Sequence, residues 1–355
     1  MNLSGQFQHV LEGLPAVQPP HACVVAYSGG IDSHVLLHLC YLGGMSVRAV
    51  HIHHGLQAEA DSWDTHCRNV CANIGIAYKC IHVEAQPEPG ESPEDAARNA
   101  RYRALAQELD HGEILLTAHH QDDQAETLLL QLMRGAGSAG LAAMPLIKSF
   151  ANGYHARPLL GFKQQQLRDY AEEHKLVWVD DPSNADTSYD RNYVRKHVMP
   201  VLRRNWPNAG QAMSQAAKLQ QDTLEIVEAM AATDLAAVSL QQHNSLSITK
   251  LRQLTKARQY NVLRYWINAA GFDRPRRNIM QEIIDSVLPA AEDAAPLVLW
   301  GNTEIRRYHD ALYILEALNS HEIHHVYAWD GEQPLLIETL HLELSLEQTT
   351  GKGLK

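Results

Sequence analysis

The sequence has no run of about 18 consecutive apolar residues, the length that a membrane-spanning helix requires, so we expect no membrane partner. Its first residues lack the basic stretch and hydrophobic core of a signal peptide. Only 5 cysteines are present, and none is paired in the Cys-x-x-Cys spacing of zinc or redox sites. These features predict reduced thiols in a cytoplasmic protein, with Cys67 and Cys71 packed in the core.

Positive charge is also scarce. The chain carries 30 Lys and Arg against 41 Asp and Glu, a formal net charge of −11. This balance argues against a protein that coats nucleic acid, although a local basic patch remains compatible with it. We find neither internal repeats nor low-complexity tracts, and 355 residues are enough for two domains.

The two commonest glycine-rich phosphate loops are missing from the stretch 23–33. It has no Gly-Lys-Ser/Thr pair and does not follow the Gly-x-Gly-x-x-Gly pattern. Residues 24–26 are typical of a short buried strand, Gly29 and Gly30 allow a sharp turn, and 31–41 has helical apolar spacing. A strand, a turn and a helix in this order place free N–H groups at a helix N-terminus, where a phosphate binds well.

Asp32 falls in the first turn of that predicted helix. A lone carboxylate would repel phosphates, so a bridging Mg²⁺ is the better arrangement. The loop resembles the Ser-Gly-Gly-x-Asp-Ser loop of the ATP pyrophosphatases, which split ATP between its α and β phosphates and leave an adenylated substrate. The resemblance implies that the loop residues bind ATP, namely Ser28, Gly29, Gly30, Ile31, Asp32 and Ser33.

Strands and helices alternate through the first part of the chain, which predicts an α/β fold with a doubly wound parallel sheet. The predicted strands are 24–26, 45–52, 77–83 and 113–117, and the helices between and after them include 61–74, 93–109 and 122–133. Ligands bind such sheets outside the carboxyl ends of the strands. The phosphate loop and two histidine-bearing motifs fall at such ends, so we expect one site there.

The pattern of the sequence changes after Trp206. Long helical patterns occupy 211–237 and 254–270, and 296–314 is typical of a strand pair that turns at Gly301 and Asn302. We therefore predict a catalytic domain at 1–205, a smaller, mainly helical domain at 216–325 and, at 326–355, a linker or the start of a further C-terminal domain.

An acidic motif begins where the fourth predicted strand ends. Asp123 and Glu126 are three residues apart, so they share one helix face and could hold Mg²⁺ or an ammonium group. Acidic residues placed for the helix dipole are the plainer explanation. His119 and His120 in the same motif could steady phosphates, whereas a zinc site would need three or four ligands and no cysteine is near.

A histidine and a set of arginines are further candidates for ATP contacts. His53 ends the second strand, where a structural hydrogen bond is as good an explanation as ATP binding. Arg98, Arg101 and Tyr102 lie near one helix face, and an arginine there can meet a phosphate bidentately. A solvated basic face would give the same pattern.

A basic and aromatic segment follows Asp181-Pro182-Ser183-Asn184. Arg191 and Arg195 are four residues apart on a predicted helix, and they alternate with Tyr189 and Tyr193. This combination suits RNA, where phosphate contacts and base stacking combine, although a basic surface helix remains an alternative.

Taken together, the motifs resemble the tRNA(Ile)-lysidine synthetase family in order and spacing up to about residue 200. They are Ser28-Gly29-Gly30-Ile31-Asp32-Ser33, His53-His54-Gly55-Leu56, Ala97-Arg98-Asn99-Ala100-Arg101-Tyr102, Asp122-Asp123-Gln124-Ala125-Glu126-Thr127, Arg134-Gly135-Ala136-Gly137, Arg157-Pro158-Leu159-Leu160, Asp181-Pro182-Ser183-Asn184 and Arg191-Asn192. The later region is similar to that family's helical substrate domain through 258–264 and 304–308. One motif departs slightly, since the family's usual His-Val-Asn-His-Gly-Leu is His-Ile-His-His-Gly-Leu here.

This resemblance implies a ligase that uses ATP and Mg²⁺ to join L-lysine to C2 of the wobble cytidine of a CAU-anticodon tRNA(Ile). The tRNA is first adenylated with release of pyrophosphate, and lysine then displaces AMP. The implied catalytic residues are Asp32, which would hold Mg²⁺, together with Asp123, Glu126 and Arg191. The implied ATP contacts beyond the loop are His53, Arg98 and His119, and the implied tRNA contacts are Arg195, Lys196, Arg264 and Arg306.

Two other functions are compatible with parts of the sequence. One is another adenylating enzyme of the same loop class, such as a tRNA thiolase or an amide synthetase, although the cysteines do not resemble those of thiolases and no glutaminase domain is evident. The other is a protein that binds ATP and RNA without catalysis. A homodimer is compatible with each of these functions.

Overall fold

The chain forms two units, Met1–Ile226 and Val227–Lys355, in the computed structural model. The structure describes residues 2–14, 22–55, 59–84, 86–87, 92–182, 186–241, 244–291, 294–317, 326–331, 333–337 and 342–346. Ser183 and Asn184 of the predicted turn and residues 347–355 of the predicted linker lie outside these ranges. The domain boundaries near 205–216 and 325 stay predictions.

The first unit is built on a six-stranded sheet with the order β3-β2-β1-β4-β6-β5. Five of its strands run parallel, and β5 pairs antiparallel with β6 at one edge. The doubly wound fold predicted from the sequence is therefore confirmed. The strands are β1 (Cys23–Ala26), β2 (Val47–His53), β3 (Ala77–His82), β4 (Ile114–Leu116), β5 (Ile147–Phe150) and β6 (Gly153–Ala156).

Helices connect these strands and extend beyond them. Ser92 caps α4 by accepting a hydrogen bond from Asp95 N at 3.1 Å, as its place before a proline predicts. The helices are α1 (Leu3–Glu12), α2 (Ile31–Leu42), α3 (Ala60–Asn73), α4 (Pro93–Gln107), α5 (Gln121–Met133), α6 (Ser138–Leu141), α7 (Gln164–Glu173), α8 (Asp190–Tyr193), α9 (Met199–Asn205) and α10 (Ala209–Val238), with a π-helical turn at Val194–Val198 between α8 and α9. Helix α10 continues across the division between the units.

Strand β1 lies at the centre of the sheet and is buried, since Val24 and Val25 are both 0 % exposed. It pairs with β2 on one side and β4 on the other. The connections leave β1 in opposite directions at this point, so a crevice opens outside the carboxyl ends of β1 and β4. Cys67 and Cys71 lie in the hydrophobic core behind it, as predicted.

The second unit combines helices with a four-stranded antiparallel sheet of order β7-β10-β9-β8. The predicted strand pair is confirmed as β8 and β9, which turn at Gly301 and Asn302, but two further strands join them. The elements are β7 (Ser245–Ser247), α11 (Ile248–Gln253), α12 (Lys256–Ala269), α13 (Arg277–Glu282) with a π-helical turn at Ile283–Val287, β8 (Leu297–Trp300), β9 (Thr303–Tyr308), β10 (Ala311–Glu316), β11 (Leu335–Ile337) and β12 (Leu342–Leu344).

No helix within the described ranges combines the length and the apolar character needed to cross a membrane.

Candidate active site

The loop after β1 is ordered by hydrogen bonds among its own residues. The Ser28 amide donates to Ser33 Oγ at 3.2 Å, and the Gly30 amide donates to Ser28 Oγ at 3.3 Å. Ser33 Oγ in turn donates to the Gly30 carbonyl at 2.9 Å. These bonds hold the turn in one shape before any ligand arrives, with the N-terminus of α2 at its end.

Gly29 is the position at which this loop needs glycine. Its φ is +84°, and a Cβ would lie 2.7 Å from Val179 Cγ2 and 2.8 Å from Cys67 Sγ. The Val179 amide donates to the Gly29 carbonyl at 3.0 Å, so this neighbour is fixed in place. The loop therefore rests directly on the core, and Gly29 allows the close approach.

Gly29→Ala is expected to destabilise the protein by about 3 kcal/mol and to remove ATP binding, because it adds overpacking to an unfavourable φ. Gly44→Ala is the matched control, since Gly44 also has a positive φ of +65° but nothing lies within 4 Å of its Cβ position. We expect that control to cost about 1 kcal/mol and to leave ATP binding intact. Urea unfolding and ATP titration measure both effects, and equal losses in the two variants would contradict the packing argument.

A cavity of about 230 Å³ opens beside the loop, at the carboxyl ends of β1, β2 and β4. Its lining combines apolar side chains with hydroxyl, carboxylate, imidazole and guanidinium groups, a combination that suits a base and its phosphates. The apolar and aromatic lining includes Ala26, Val50, Ile52, Tyr102 and Leu105, and the polar lining includes Ser28, Asp32, Ser33, Arg98, Arg101, Thr117, His119, Asp123 and Arg191. Of the implied site residues, seven thus share one cavity.

Asp32 presents a carboxylate to this cavity. Its Oδ1 is buried and has no hydrogen-bond partner among the described residues, an arrangement that costs free energy unless a cation or donor fills it. No group of three or more His, Cys, Asp or Glu side chains in the described ranges is placed to hold a metal ion. Mg²⁺ is commonly held by one or two carboxylates together with phosphate oxygens, so the free oxygen of Asp32 fits that ion.

His120 supports the acidic motif and does not face the cavity. Its ring is 1 % exposed, and its Nδ1 accepts a hydrogen bond from the Asp122 amide at 3.2 Å, which caps α5. Its Nε2 lies 3.4 Å from Asp123 Oδ2 and 3.6 Å from Asp32 Oδ2. Burial favours the neutral ring, whereas Asp123 and Asp32 raise the pKa of His120. The amide that donates to Nδ1 keeps the proton of the neutral ring on Nε2, which faces both carboxylates. A phosphate contact for His120 has no support in this position.

Asp123 and Glu126 lie on one face of α5, as their spacing predicts, but arginines already occupy them. Arg195 donates to both oxygens of Glu126 at 2.7 and 2.9 Å and to Asp123 Oδ1 at 3.0 Å. Arg191 Nε lies 3.3 Å from Glu126 Oε2, and its Nη2 donates to Thr127 Oγ1 at 2.9 Å. The two arginines thus turn toward α5, so the segment after the predicted turn closes over the carboxylates.

The surroundings shift the pKa values of the Asp123 and Glu126 carboxyl groups in opposite directions. Burial works against ionisation of Asp123, but His120 and then His119 lower the pKa of its carboxyl to about 2. Burial raises the pKa of Glu126, and Arg195 offsets only part of that effect. Glu126 is therefore the member of the pair that is closer to taking up a proton.

The remaining implied ATP contacts have different neighbours. His53 ends β2, where its Nε2 lies 3.1 Å from Asp61 Oδ1 and its ring lies 4.3 Å from that of His82. Arg98 stacks over the ring of Tyr102 at 5.2 Å. Burial lowers the pKa of His119 to about 3, so its imidazole is neutral at pH 7. Of these three, Arg98 and His119 line the cavity.

The residues implied to bind tRNA are divided between the two units. Arg195 is engaged with α5 as described above, and Lys196 follows it in the π-helical turn. In the second unit, Arg306 donates to both oxygens of the buried Glu304 at 2.6 and 3.1 Å, and Arg264 donates to Asn261 Oδ1 at 3.4 Å. Their contacts with RNA stay predictions.

Three buried polar residues near the site had no predicted role, although Arg157 belongs to the motif Arg157-Pro158-Leu159-Leu160. Thr117 directly follows β4, and His155 and Arg157 lie at and just after the end of β6. All three are buried, with exposed fractions of 7 %, 0 % and 3 %. Polar residues at the end of otherwise apolar strands were the available signal, because such ends meet at the ligand-binding edge.

Comparison with known families matches both units. The PP-loop domain family matches residues 2–202, and the TilS substrate binding domain family matches residues 246–313. The PP-loop match supports ATP use by the first unit.

Curated relatives extend this similarity over most of the chain. A tRNA(Ile)-lysidine synthase from Coxiella burnetii is 41% identical over 335 residues, which are 93% of this chain and 74% of the relative. The enzyme of that name from Methylococcus capsulatus is 41% identical over 88% of this chain and 72% of its own length, and the one from Proteus mirabilis is 36% identical over 93% and 75%.

A solved structure supports the fold. A U34-tRNA thiolase from Methanococcus maripaludis has a TM-score of 0.51 at 17% identity, over 61% of this chain and 77% of that chain.

Proposed function

This chain belongs to the tRNA(Ile)-lysidine synthase family, and from that membership we propose that it uses ATP to join L-lysine to C2 of the wobble cytidine of a CAU-anticodon tRNA(Ile). The structural observation that carries the proposal is the ordered loop from Ser28 to Ser33 beside a cavity whose lining includes apolar side chains and three arginines. ATP and a flipped pyrimidine can both reach the carboxyl ends of the central strands there.

In the first step, O2 of the cytidine attacks the α-phosphate of ATP, the bond to the β-phosphate breaks and pyrophosphate leaves. The loop amides and the hydroxyls of Ser28 and Ser33 would hold the phosphates, with the guanidinium groups of Arg98 and Arg191 facing their negative charge. Asp32 would hold Mg²⁺, which supplies charge neutralisation at the phosphates when it is bound.

In the second step, the ε-amine of lysine attacks C2 and AMP leaves with the former cytidine oxygen. The amine must lose its proton before it can attack, and the ammonium must be held near a carboxylate beforehand. Glu126 suits that role because burial raises the pKa of its carboxyl, which favours proton uptake. Arg195 now fills the space that the ammonium would use, so Arg195 must move when lysine binds.

The whole reaction is tested by measuring pyrophosphate release with lysine and a tRNA(Ile) transcript, followed by mass spectrometry of the digested nucleosides. We expect release to require the CAU anticodon and the product nucleoside to gain lysine minus water. Release with ammonia or a sulfur donor in place of lysine would favour another adenylating enzyme. Binding of ATP without release would favour a non-catalytic protein.

We also place the reaction in the cytoplasm, where reduced thiols persist, because all five cysteines are free. The homodimer that the sequence left open stays a prediction.

A further inference from the structure

A chain of buried hydrogen bonds runs from Arg157 to the cavity. Arg157 Nη2 lies 3.1 Å from His155 Nδ1, and His155 Nε2 lies 2.8 Å from Thr117 Oγ1. Thr117 Oγ1 then lies 2.8 Å from Nδ1 of His119, which lines the cavity. The chain joins β6 to the residues that follow β4, and these two strands are parallel neighbours.

The chemistry of the groups and their burial give each bond in this chain a direction. Arginine can only donate, so His155 Nδ1 must be the acceptor of its bond. Burial, assisted by Arg157, lowers the pKa of His155 to about 2, so the ring is neutral and its one proton sits on Nε2. His155 therefore donates to Thr117 Oγ1. A hydroxyl oxygen can accept two hydrogen bonds, but if Thr117 also accepted from His119, its own buried proton would have no acceptor among the described residues, at a cost in free energy. We therefore infer that Thr117 donates to His119 Nδ1.

His119 is consequently left with one arrangement. Its Nδ1 accepts from Thr117, and its ring is neutral, because burial lowers its pKa to about 3. The proton must then sit on Nε2, the nitrogen that the chain leaves free for a ligand. The opposite tautomer would place a bare nitrogen there, which would repel an anionic oxygen instead of binding it.

We propose that Arg157, His155 and Thr117 are positioning residues that fix His119 as an Nε2–H donor toward a phosphate oxygen of ATP. A buried arginine suits this role, because it can only donate and because its Nη1 is held in place by the Pro145 carbonyl at 2.8 Å. A neutral amide or hydroxyl side chain in its place could either donate or accept, so the directions of the hydrogen bonds that follow would not be defined. A donor held in advance gains strength in a site that excludes water.

The tautomer can be measured directly in the whole protein. Long-range ¹H–¹⁵N spectra distinguish a protonated ring nitrogen from a bare one, and the signals of His119 are identified by their loss in His119→Gln. We expect the proton of wild-type His119 on Nε2 without any ligand present. A proton on Nδ1 overturns the proposal, and this measurement does not depend on the proposed reaction.

Thr117→Val removes the hydroxyl with little change of shape, and Thr117→Ser is the matched variant that keeps it. We expect Thr117→Val to leave a mixture of His119 tautomers and to lower kcat for pyrophosphate release between about 10- and 100-fold, with KM for ATP changed less than about threefold. Thr117→Ser should recover the single tautomer and most of the kcat. The kcat comparison rests on the proposed function, whereas the tautomer measurement does not. If the wild-type protein released no pyrophosphate with lysine and tRNA, the proposed function would fail and the tautomer measurement would still test the positioning role.

Equal kcat values for Thr117→Val and Thr117→Ser would overturn the proposal, as would a single Nε2–H tautomer in Thr117→Val. If Thr117→Val does not fold, as judged by circular dichroism, the wild-type tautomer alone decides.

Discussion

Asp32→Asn should lower pyrophosphate release about a thousand-fold while the protein remains about as stable as the wild type. The loss follows from the role proposed for Asp32, since an amide is a poor ligand for Mg²⁺ and cannot neutralise it. The effect on stability follows from the contacts. Oδ1 is buried without a partner among the described residues, and Oδ2 lies 3.6 Å from His120 Nε2. The substitution relieves the cost of the buried, unpartnered Oδ1 but weakens the pairing of Oδ2 with His120, and these two effects on stability oppose each other.

Asp169→Asn is the matched control, because Asp169 is an exposed carboxylate on α7 that contacts Gln165. It should change neither pyrophosphate release nor the urea midpoint. Both variants are compared at several Mg²⁺ concentrations. If Asp32→Asn released pyrophosphate at a rate near that of the wild type, Asp32 would not hold the metal. A marked fall in its midpoint would instead show that Asp32 is needed for the fold.

The position of the site could be predicted because its signals are local. A short buried strand, the glycines at 29 and 30 and a helical pattern all fall within 20 residues. Each element that follows repeats the alternation of strand and helix, and the topology then places the ends of β1 and β4 side by side. Local periodicity and one topological rule were thus enough to bring Asp32 and His119 to one cavity.

The hairpin of β5 and β6 was not predicted, although Asn152-Gly153 is a dipeptide typical of tight hairpin turns. The signal is displaced by one position, because Phe150 pairs with Gly153 and the two loop residues are Ala151 and Asn152. Ala151 has a φ of +48°, a conformation that is usual for glycine or asparagine. His155 and Arg157 belong to this part of the chain, which is why their chain of hydrogen bonds to His119 was not foreseen.

The side-chain contacts of Arg191 and Arg195 could not be predicted from the sequence either. Their spacing predicts a shared helix face, but it does not say what that face meets. Arg191 lies in α8 and Arg195 in the π-helical turn Val194–Val198, which changes the helical register between α8 and α9. The contact with Glu126 joins residues 69 positions apart for Arg195, and only the tertiary fold shows it.

Glu126→Gln is expected to spare the first half-reaction and to block the second. Adenylation depends on phosphate contacts, whereas the attack of lysine depends on a carboxylate that holds the ammonium and takes its proton. The variant should therefore release pyrophosphate and accumulate adenylated tRNA, with a raised lysine requirement. Single-turnover measurements of the two half-reactions give both rates. If Glu126 held Mg²⁺ instead, pyrophosphate release itself would collapse and added Mg²⁺ would partly restore it.

The same substitution also carries a structural cost that must be separated from catalysis. Glu126 is 1 % exposed and accepts two hydrogen bonds from Arg195, so the neutral side chain leaves a guanidinium poorly compensated. We expect a loss of stability of about 3 kcal/mol. Arg195→Met combined with Glu126→Gln removes that charge together with its partner, and should recover much of the stability. If Glu126 only positions Arg195, this double variant should perform both half-reactions at the rates of Arg195→Met. If Glu126 receives lysine, the double variant should still stop at adenylated tRNA.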